Sequence, residues 1–275
     1  MQPLFSVIVV SYNAGTKLNA TIRNILEQSC QDLEILWKDA CSQDGSPGTL
    51  WKELLPEEKA KILRISGKDR GIYDGMNEAL LQAKGKYIYF LNCGDLLHDR
   101  DVLQKVKKKI LSVSPEKSRQ IWYGDVLEKS SGQIVAANPR MTHFAMYRYL
   151  PCHQACFYSR ELFAERGFDI NLRVRADYEH FLWACLRGGA DPEYLDLVIA
   201  DYEGGGFSET KSGRKLSAGE HRRITGEYFS TGENLLFRTY LAVTLQPLRE
   251  KLAQNPKTAG LYDAVKNRIY RLRKQ

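Results

Sequence analysis

No stretch of this 275-residue chain stays apolar for the roughly 18 residues that a membrane-spanning helix requires, so none is expected. Its first residues enter an apolar run without a basic segment or a small-residue cleavage site, and a secretory leader is not expected either. The six cysteines (Cys30, Cys41, Cys93, Cys152, Cys156, Cys185) form no CxxC pair and keep no regular spacing. In a chain without export signals they read as free thiols of a reducing compartment, where the Asn19-Ala20-Thr21 sequon carries no meaning. Two phosphate-gripping devices are missing: no GxGxxG follows the first apolar run, and there is no GxxxxGK[ST] loop. A nucleotide, if bound, must be held through side chains and a metal. No internal repeat or low-complexity tract is present.

What remains is an ordinary globular composition, 43% hydrophobic and 27% charged, with room for one large α/β domain plus an appendage. The charge is distributed unevenly. Nine Lys/Arg against two acids between residues 237 and 275 account for the whole net charge of +7, so the first 236 residues balance to zero.

The apolar, β-branched run Phe5–Val10 reads as a buried strand, broken by Ser11-Tyr12-Asn13-Ala14-Gly15. Leu18, Ile22, Ile25 and Leu26 recur at helical spacing, to about Gln28. Further strands are expected at 33–37, 61–65, 87–91 and 120–123, with helices at 51–60, 72–83, 102–111 and 178–187 and a hairpin through Ser131-Gly132. Alternation of strands and helices argues for βαβ units and a mostly parallel, Rossmann-like sheet. Residues 204–219, opened by three glycines, are expected to be a flexible polar segment, and two amphipathic helices split near Asn255-Pro256 to close the chain. The domain boundary is expected at 220/221, with 1–220 the α/β domain and 221–275 a basic helical tail.

The loops after the first four strands converge on the edge where such sheets bind ligands. They carry Asp39, Asp44, Asp69, Arg70, Asp74 and Asp95. Acids mixed with one arginine suit a phosphate-bearing ligand bridged by a divalent cation; the alternative is that Asp39 and Asp44 are turn formers, a reading that carries more weight for Asp44 than for Asp39. Asp95 is the most telling of them, an acid placed directly after the apolar KYIYFL run.

SVIVVSYNAG, KDACSQDGS, KDRGIYDGMNEAL and GKYIYFLNCGD, in that order and spacing, resemble the family 2 inverting glycosyltransferases of the GT-A fold, which build bacterial surface polysaccharides. The resemblance covers about residues 4–210 and runs on through LPCHQACFYSRELF and GFDINLRVRADYEHFLWACLRGG. It implies that Ser11, Tyr12 and Asn13 lie beside a nucleotide base, and that Asp39 accepts a hydrogen bond from its ring N–H, as suits uracil or thymine. Asp69, Arg70 and Asp74 would border base and ribose, Asn92 and Asp125 the donor side, and His153 and Gln154 the acceptor or diphosphate. Asp95 stands for the acid of the metal motif, holding Mn²⁺ or Mg²⁺, although the family often has two or three acids where this chain has Asn92-Cys93-Gly94-Asp95.

Asp177 matches the family's general base; because Ala176-Asp177-Tyr178 opens a helix, it reads also as an N-cap, with Glu179 the reserve base. His153 sits between Cys152 and Cys156 without a zinc-site spacing and reads otherwise as a structural histidine.

The implied activity is transfer of a sugar from a nucleoside diphosphate-sugar, UDP expected, to a hydroxyl of a glycan or lipid-linked glycan. The rivals are a sugar nucleotidyltransferase, whose Gly-rich basic loop is missing, and a non-catalytic scaffold subunit. The tail, with Leu235, Leu236, Tyr240, Leu241, Leu245, Leu248, Leu261, Val265, Ile269 and Leu272 opposite a cationic face, suits an anionic membrane surface or packing onto the domain. It lacks a base-reading motif, so nucleic acid is not an expected partner. The location implied is cytoplasmic, or peripheral on the inner membrane face.

Overall fold

A computed structural model describes residues 2–112, 119–206, 210–244 and 258. Its contacts divide the chain after Ile224 into two units.

Among the described residues the first unit is built on one nine-stranded sheet. The order is β3 (Ile62–Ser66), β2 (Leu33–Asp39), β1 (Phe5–Ser11), β4 (Tyr87–Phe90), β8 (Cys156–Ser159), β6 (Gln120–Glu128), β9 (Asp191–Tyr202) and β5 (Leu96–Leu97), with β7 (Gln133–Val135) hairpinned onto β6. The β3-β2-β1-β4 block is parallel. β8 runs against both β4 and β6, while β6 and β9 run with the first block. Six of the nine strands therefore share one direction, and the sheet is the mostly parallel one expected.

Both faces of the sheet are covered, as continuous apolar strands require. Val7, Val9, Ile35 and Trp37 face Leu18, Ile22 and Ile25 of α1 (Thr16–Leu26) and Leu103 and Val106 of α5 (Val102–Ser112) in one buried cluster. On the other side an aromatic group closes the core: Phe90 meets Phe163 and Phe168, and the His180 ring stacks on Phe163 at 4.1 Å. Burial pushes the His180 imidazole down to about 3, so it packs there as a neutral ring.

Four expectations about elements change. The helix expected at 51–60 is two short ones, α2 (Ser46–Glu53) and α3 (Pro56–Lys59). Pro56 cannot continue a helix, Leu54 and Leu55 are extended, and the Glu58 carboxylate accepts the Leu55 N–H at 2.8 Å. The helix after Gly71, α4 (Ile72–Leu80), ends three residues earlier than expected. Strands β5, β8 and β9 are additional. The polar stretch at 204–219 is not flexible throughout, because α9 (Lys211–Tyr228) begins inside it.

In the second unit, α10 (Thr231–Val243) starts with a capping box. Ser230 Oγ accepts the Glu233 N–H, while the Glu233 carboxylate accepts the Ser230 N–H. Leu235, Leu236 and Tyr240 are exposed on it. The remaining apolar positions of the expected tail, from Leu245 onward, lie outside the described residues. Among the described residues no helix is long and apolar enough to cross a membrane.

Candidate active site

Each strand of the parallel block ends in a polar turn at the same edge. At the end of β1, Ser11 Oγ donates to Asp39 Oδ1 (2.8 Å) and accepts the Trp37 indole N–H (2.9 Å). Asp39, at the end of β2, also accepts the Ser42 hydroxyl (2.6 Å) and the Ser42 N–H (3.0 Å). Asn13 carries a positive φ of 47°, a left-handed conformation that asparagine tolerates. Its Oδ1 accepts the Gln43 N–H at 2.8 Å, tying the first loop to the second.

Lys38, in β2, is fully buried, and its Nζ reaches into the loop after β3 at Gly67 O (2.6 Å) and Asp69 Oδ2 (3.1 Å) and on to Glu78 Oε2 (3.3 Å). Burial alone would lower its pKa, but the two carboxylates outweigh that and raise it, so it stays charged. Gly75 permits the close approach of α4: a Cβ there would meet Asp69 Oδ2 at 2.9 Å. These loops enclose a cavity of about 730 Å³ lined by Ser11, Tyr12, Cys41, Gln43, Lys68 and Asp69.

A second cavity, of about 550 Å³, is lined by Asn92, Asp95, His153, Gln154 and Asp177 together with Lys17, Tyr73, Arg173 and Arg175, and Ile72 lines both cavities. Asn92 and Asp95 are the two ends of one turn after β4, with the Asp95 N–H donating to Asn92 O at 3.0 Å. Asp95 is only 4% exposed; Oδ2 accepts the Gln154 amide (2.7 Å) and Oδ1 the Glu203 N–H (2.9 Å). Burial outweighs these bonds and raises its pKa.

His153 and Gln154 stand in the one-turn 3-10 helix before β8. Because β8 runs backwards, its first residues lie at the edge where β4 ends. With the Asn92 amide oriented as it is, Nδ2 donates to His153 Nε2 at 3.0 Å. The ring proton is then on Nδ1, 3.3 Å from Asp177 Oδ2.

Asp177 is in the first turn of α8 (Ala176–Leu186) and is not its N-cap, a position Arg175 occupies. Oδ1 accepts the Tyr73 hydroxyl (3.1 Å) and the Tyr178 N–H (2.8 Å), and the side chain keeps 28% exposure. Burial pushes its carboxyl up, but the His153 bond and charge, the Tyr178 N–H and the Tyr73 hydroxyl outweigh burial and hold it below the usual carboxylate value.

The remaining expected residues sit apart from the cavity linings. Asp39 and Asn13 are spent on the Ser42 and Gln43 bonds that shape the first two loops. Arg70 and Asp74 pair with each other at 3.1 Å, with Arg70 74% exposed. Asp125 accepts the Ala137 N–H (3.0 Å) and the Tyr194 hydroxyl (2.9 Å). The reserve base Glu179 is buried against Arg166 at 2.7 Å. Sequence reasoning missed the roles of Lys38, Tyr73, Arg173 and Arg175, although each stood inside a motif already noted: KDACSQDGS, KDRGIYDGMNEAL and GFDINLRVRADYEHFLWACLRGG.

No group of three His, Cys, Asp or Glu side chains able to hold a metal exists among the described residues. The donor set nevertheless fits a hard cation that is shared with a ligand. Asn92 Oδ1 is buried with no hydrogen-bond partner, and each Asp95 oxygen accepts a single bond, leaving lone-pair capacity. Mg²⁺ commonly takes one or two carboxylates and completes its shell with substrate phosphates.

This curled α/β sheet with a polar cavity at its strand ends has the GT-A glycosyltransferase architecture. S. aureus TarS (residues 1–349) in complex with UDP-GlcNAc matches with a TM-score of 0.62 at 16% identity, over 82% of this chain and 71% of that one. The mannosyltransferase PcManGT of Pyrobaculum calidifontis, in complex with GDP-Man and Mn²⁺, matches with a TM-score of 0.56 at 19% identity, over 97% and 87%. Residues 6–115 match the model of glycosyl transferase family 2. A PGL/p-HBAD biosynthesis glycosyltransferase of Mycobacterium tuberculosis is 30% identical over 210 residues, 76% of this chain and 80% of that protein. The chain belongs to glycosyltransferase family 2.

Proposed function

We propose that this enzyme transfers a sugar from a UDP-sugar to a hydroxyl of a glycan or lipid-linked glycan in bacterial surface-polysaccharide synthesis, inverting the anomeric centre. The observation that carries this reading is that Asp95 and Asp177 line one cavity, which meets at Ile72 the pocket lined by Ser11, Tyr12 and Asp69.

The nucleoside belongs in the larger pocket, where Tyr12 is 67% exposed and offers a face to a base. In the smaller cavity Asp177, held ionised, takes the proton of the acceptor hydroxyl as its oxygen attacks the anomeric carbon. The bond from that carbon to the diphosphate oxygen breaks on the opposite face, and the diphosphate leaves with the electron pair. Asp95, with Asn92 Oδ1 beside it in the same turn, would hold Mn²⁺ or Mg²⁺, which neutralises charge on a departing diphosphate. Fixing donor and acceptor in line contributes roughly 7–11 kcal/mol of such a barrier. The basic tail, residues 221–275, is the part that would meet an anionic membrane carrying the acceptor.

The test is thermal unfolding with UDP, GDP, dTDP or no nucleotide, each with Mn²⁺ and then with EDTA. A ligand at about 100 times its Kd adds roughly 2.7 kcal/mol of stability. A shift with UDP and Mn²⁺ that EDTA abolishes is expected; no shift with any nucleotide would favour the scaffold reading.

A further inference from the structure

Glu220 lies on α9, 43 residues beyond Asp177, and is only 8% exposed. Its carboxylate accepts three consecutive backbone N–H groups: Arg173 at 2.8 Å on Oε1, then Val174 at 3.1 Å and Arg175 at 2.9 Å on Oε2. These residues form the turn that leads into α8, and Arg175 is the N-cap of that helix. Ser217, three residues before Glu220 and so on the same helical face, accepts the Arg175 side chain through both its carbonyl (3.0 Å) and its hydroxyl (2.8 Å). From the opposite side the Tyr73 hydroxyl donates to Val174 O at 2.8 Å and also to Asp177 Oδ1. Glu220 thus takes every backbone N–H of the turn, and Tyr73 ties the turn's Val174 carbonyl to Asp177.

An anion cradled by successive N–H groups at a helix N-terminus is strongly held, each charge-assisted bond being about twice as strong as a neutral one. Such a turn could be left to water at the surface. Here an acid from a distant helix fills it, directly upstream of the carboxylate that faces the cavity. Resting on Asp177 as the base, we infer that Glu220 is a positioning residue, which fixes the Arg173–Arg175 turn so that Asp177 is presented to His153 and to the acceptor hydroxyl. It touches neither substrate nor the reacting atoms and is not itself a catalytic residue. The residues from 211 to 220 thus serve the site as a brace.

The test compares Glu220→Gln and Glu220→Ala with wild type and with Asp177→Asn, using the full chain with Mn²⁺ and UDP-glucose or UDP-GlcNAc. Water serves as the acceptor, and UDP release is measured. Glu220→Gln is expected to lose at least about tenfold in kcat while its KM for the donor, and its UDP affinity, stay within about threefold.

A second readout does not depend on turnover. In ¹⁵N-labelled protein at neutral pH, the His153 signal, assigned by its loss in His153→Ala, reports the Nδ1–H tautomer facing Asp177. Glu220→Gln is expected to shift that signal. An unchanged His153 signal together with wild-type kcat overturns the inference, as does an equal fall of kcat, UDP affinity and melting temperature, which marks a merely structural role. Full turnover by Asp177→Asn would remove the base reading alone; the His153 signal then decides whether Glu220 positions that carboxylate. If Glu220→Ala does not fold, Tyr73→Phe removes the other brace of the same turn and must displace the same His153 signal.

Discussion

His153 and Gln154 are neighbours in one helical turn, yet each holds a different carboxylate of the cavity. His153 Nδ1 lies 3.3 Å from Asp177, and the Gln154 amide lies 2.7 Å from Asp95. The two acids are driven in opposite directions: burial prevails at Asp95 and raises its pKa, while the bonds prevail at Asp177 and lower it.

Removing the charge at Asp177 removes the proposed base. Asp177→Asn is expected to lose about 10²- to 10⁴-fold in kcat, with UDP affinity retained. Steady-state kinetics beside calorimetric titration with UDP and Mn²⁺ checks this; turnover within threefold of wild type would exclude Asp177 from the reaction.

His153→Ala removes the largest of the contributions that depress the Asp177 pKa and leaves burial opposed by the Tyr178 N–H and the Tyr73 hydroxyl alone. The acid limb of the kcat–pH profile is expected to move to higher pH. The linkage has the same sign: a depressed carboxylate adds stability that is present above its unfolded pKa and lost as pH falls through its folded one. Denaturant melts of the variant should therefore show a smaller loss of stability on acidification than wild type at this site.

Asp95 is the reverse case. Its raised pKa means that the folded state holds the proton more tightly than the unfolded one, so ionisation of Asp95 costs stability once pH rises above the unfolded value. Asp95→Asn is expected to be at least as stable as wild type at pH 7 and to lose the Mn²⁺-dependent shift with UDP. Melting curves with UDP and Mn²⁺, repeated in EDTA, read both effects; a retained EDTA-sensitive shift would move the cation site elsewhere.

Lys38→Met strips the buried partner from Asp69 and Glu78. Deleting one member of a buried ion pair costs about 3–5 kcal/mol; because Glu78 is 38% exposed, the loss is expected at the lower end, about 3 kcal/mol. UDP binding should weaken as well, since Asp69 lines the larger pocket. Urea unfolding and UDP titration separate the two effects.

The parallel half of the fold was legible because its strands are short β-branched runs buried on both faces and its helices carry apolar residues at helical spacing. β9 was not: its only apolar run, 197–200, is four residues long, follows a polar first half, and most of the strand's twelve residues are only partly buried. α9 was misread for a related reason. Three glycines and a charged sequence give no apolar stripe, and Glu220, Ser217 and Arg175 fix it instead through polar contacts that only the tertiary structure supplies.

In the site, Asp95, Asn92, His153, Gln154 and Asp177 stood in recognisable motifs and share one cavity. Asp39 and Asp125 could not be sorted by motif, because whether an acid faces a ligand or caps its own loop depends on neighbours such as Ser42 and Tyr194.

The backward run of β8 has a bearing on how such enzymes diversify. The match to the family model ends at residue 115, so it takes in the parallel block and Asp95 but neither His153 nor Asp177. One edge is thus built from two consecutive stretches of chain, the first up to α5 and the second from β6 onward. Substitutions confined to the second stretch can alter the His153 and Asp177 wall of the cavity while the Asp95 wall stays as it was.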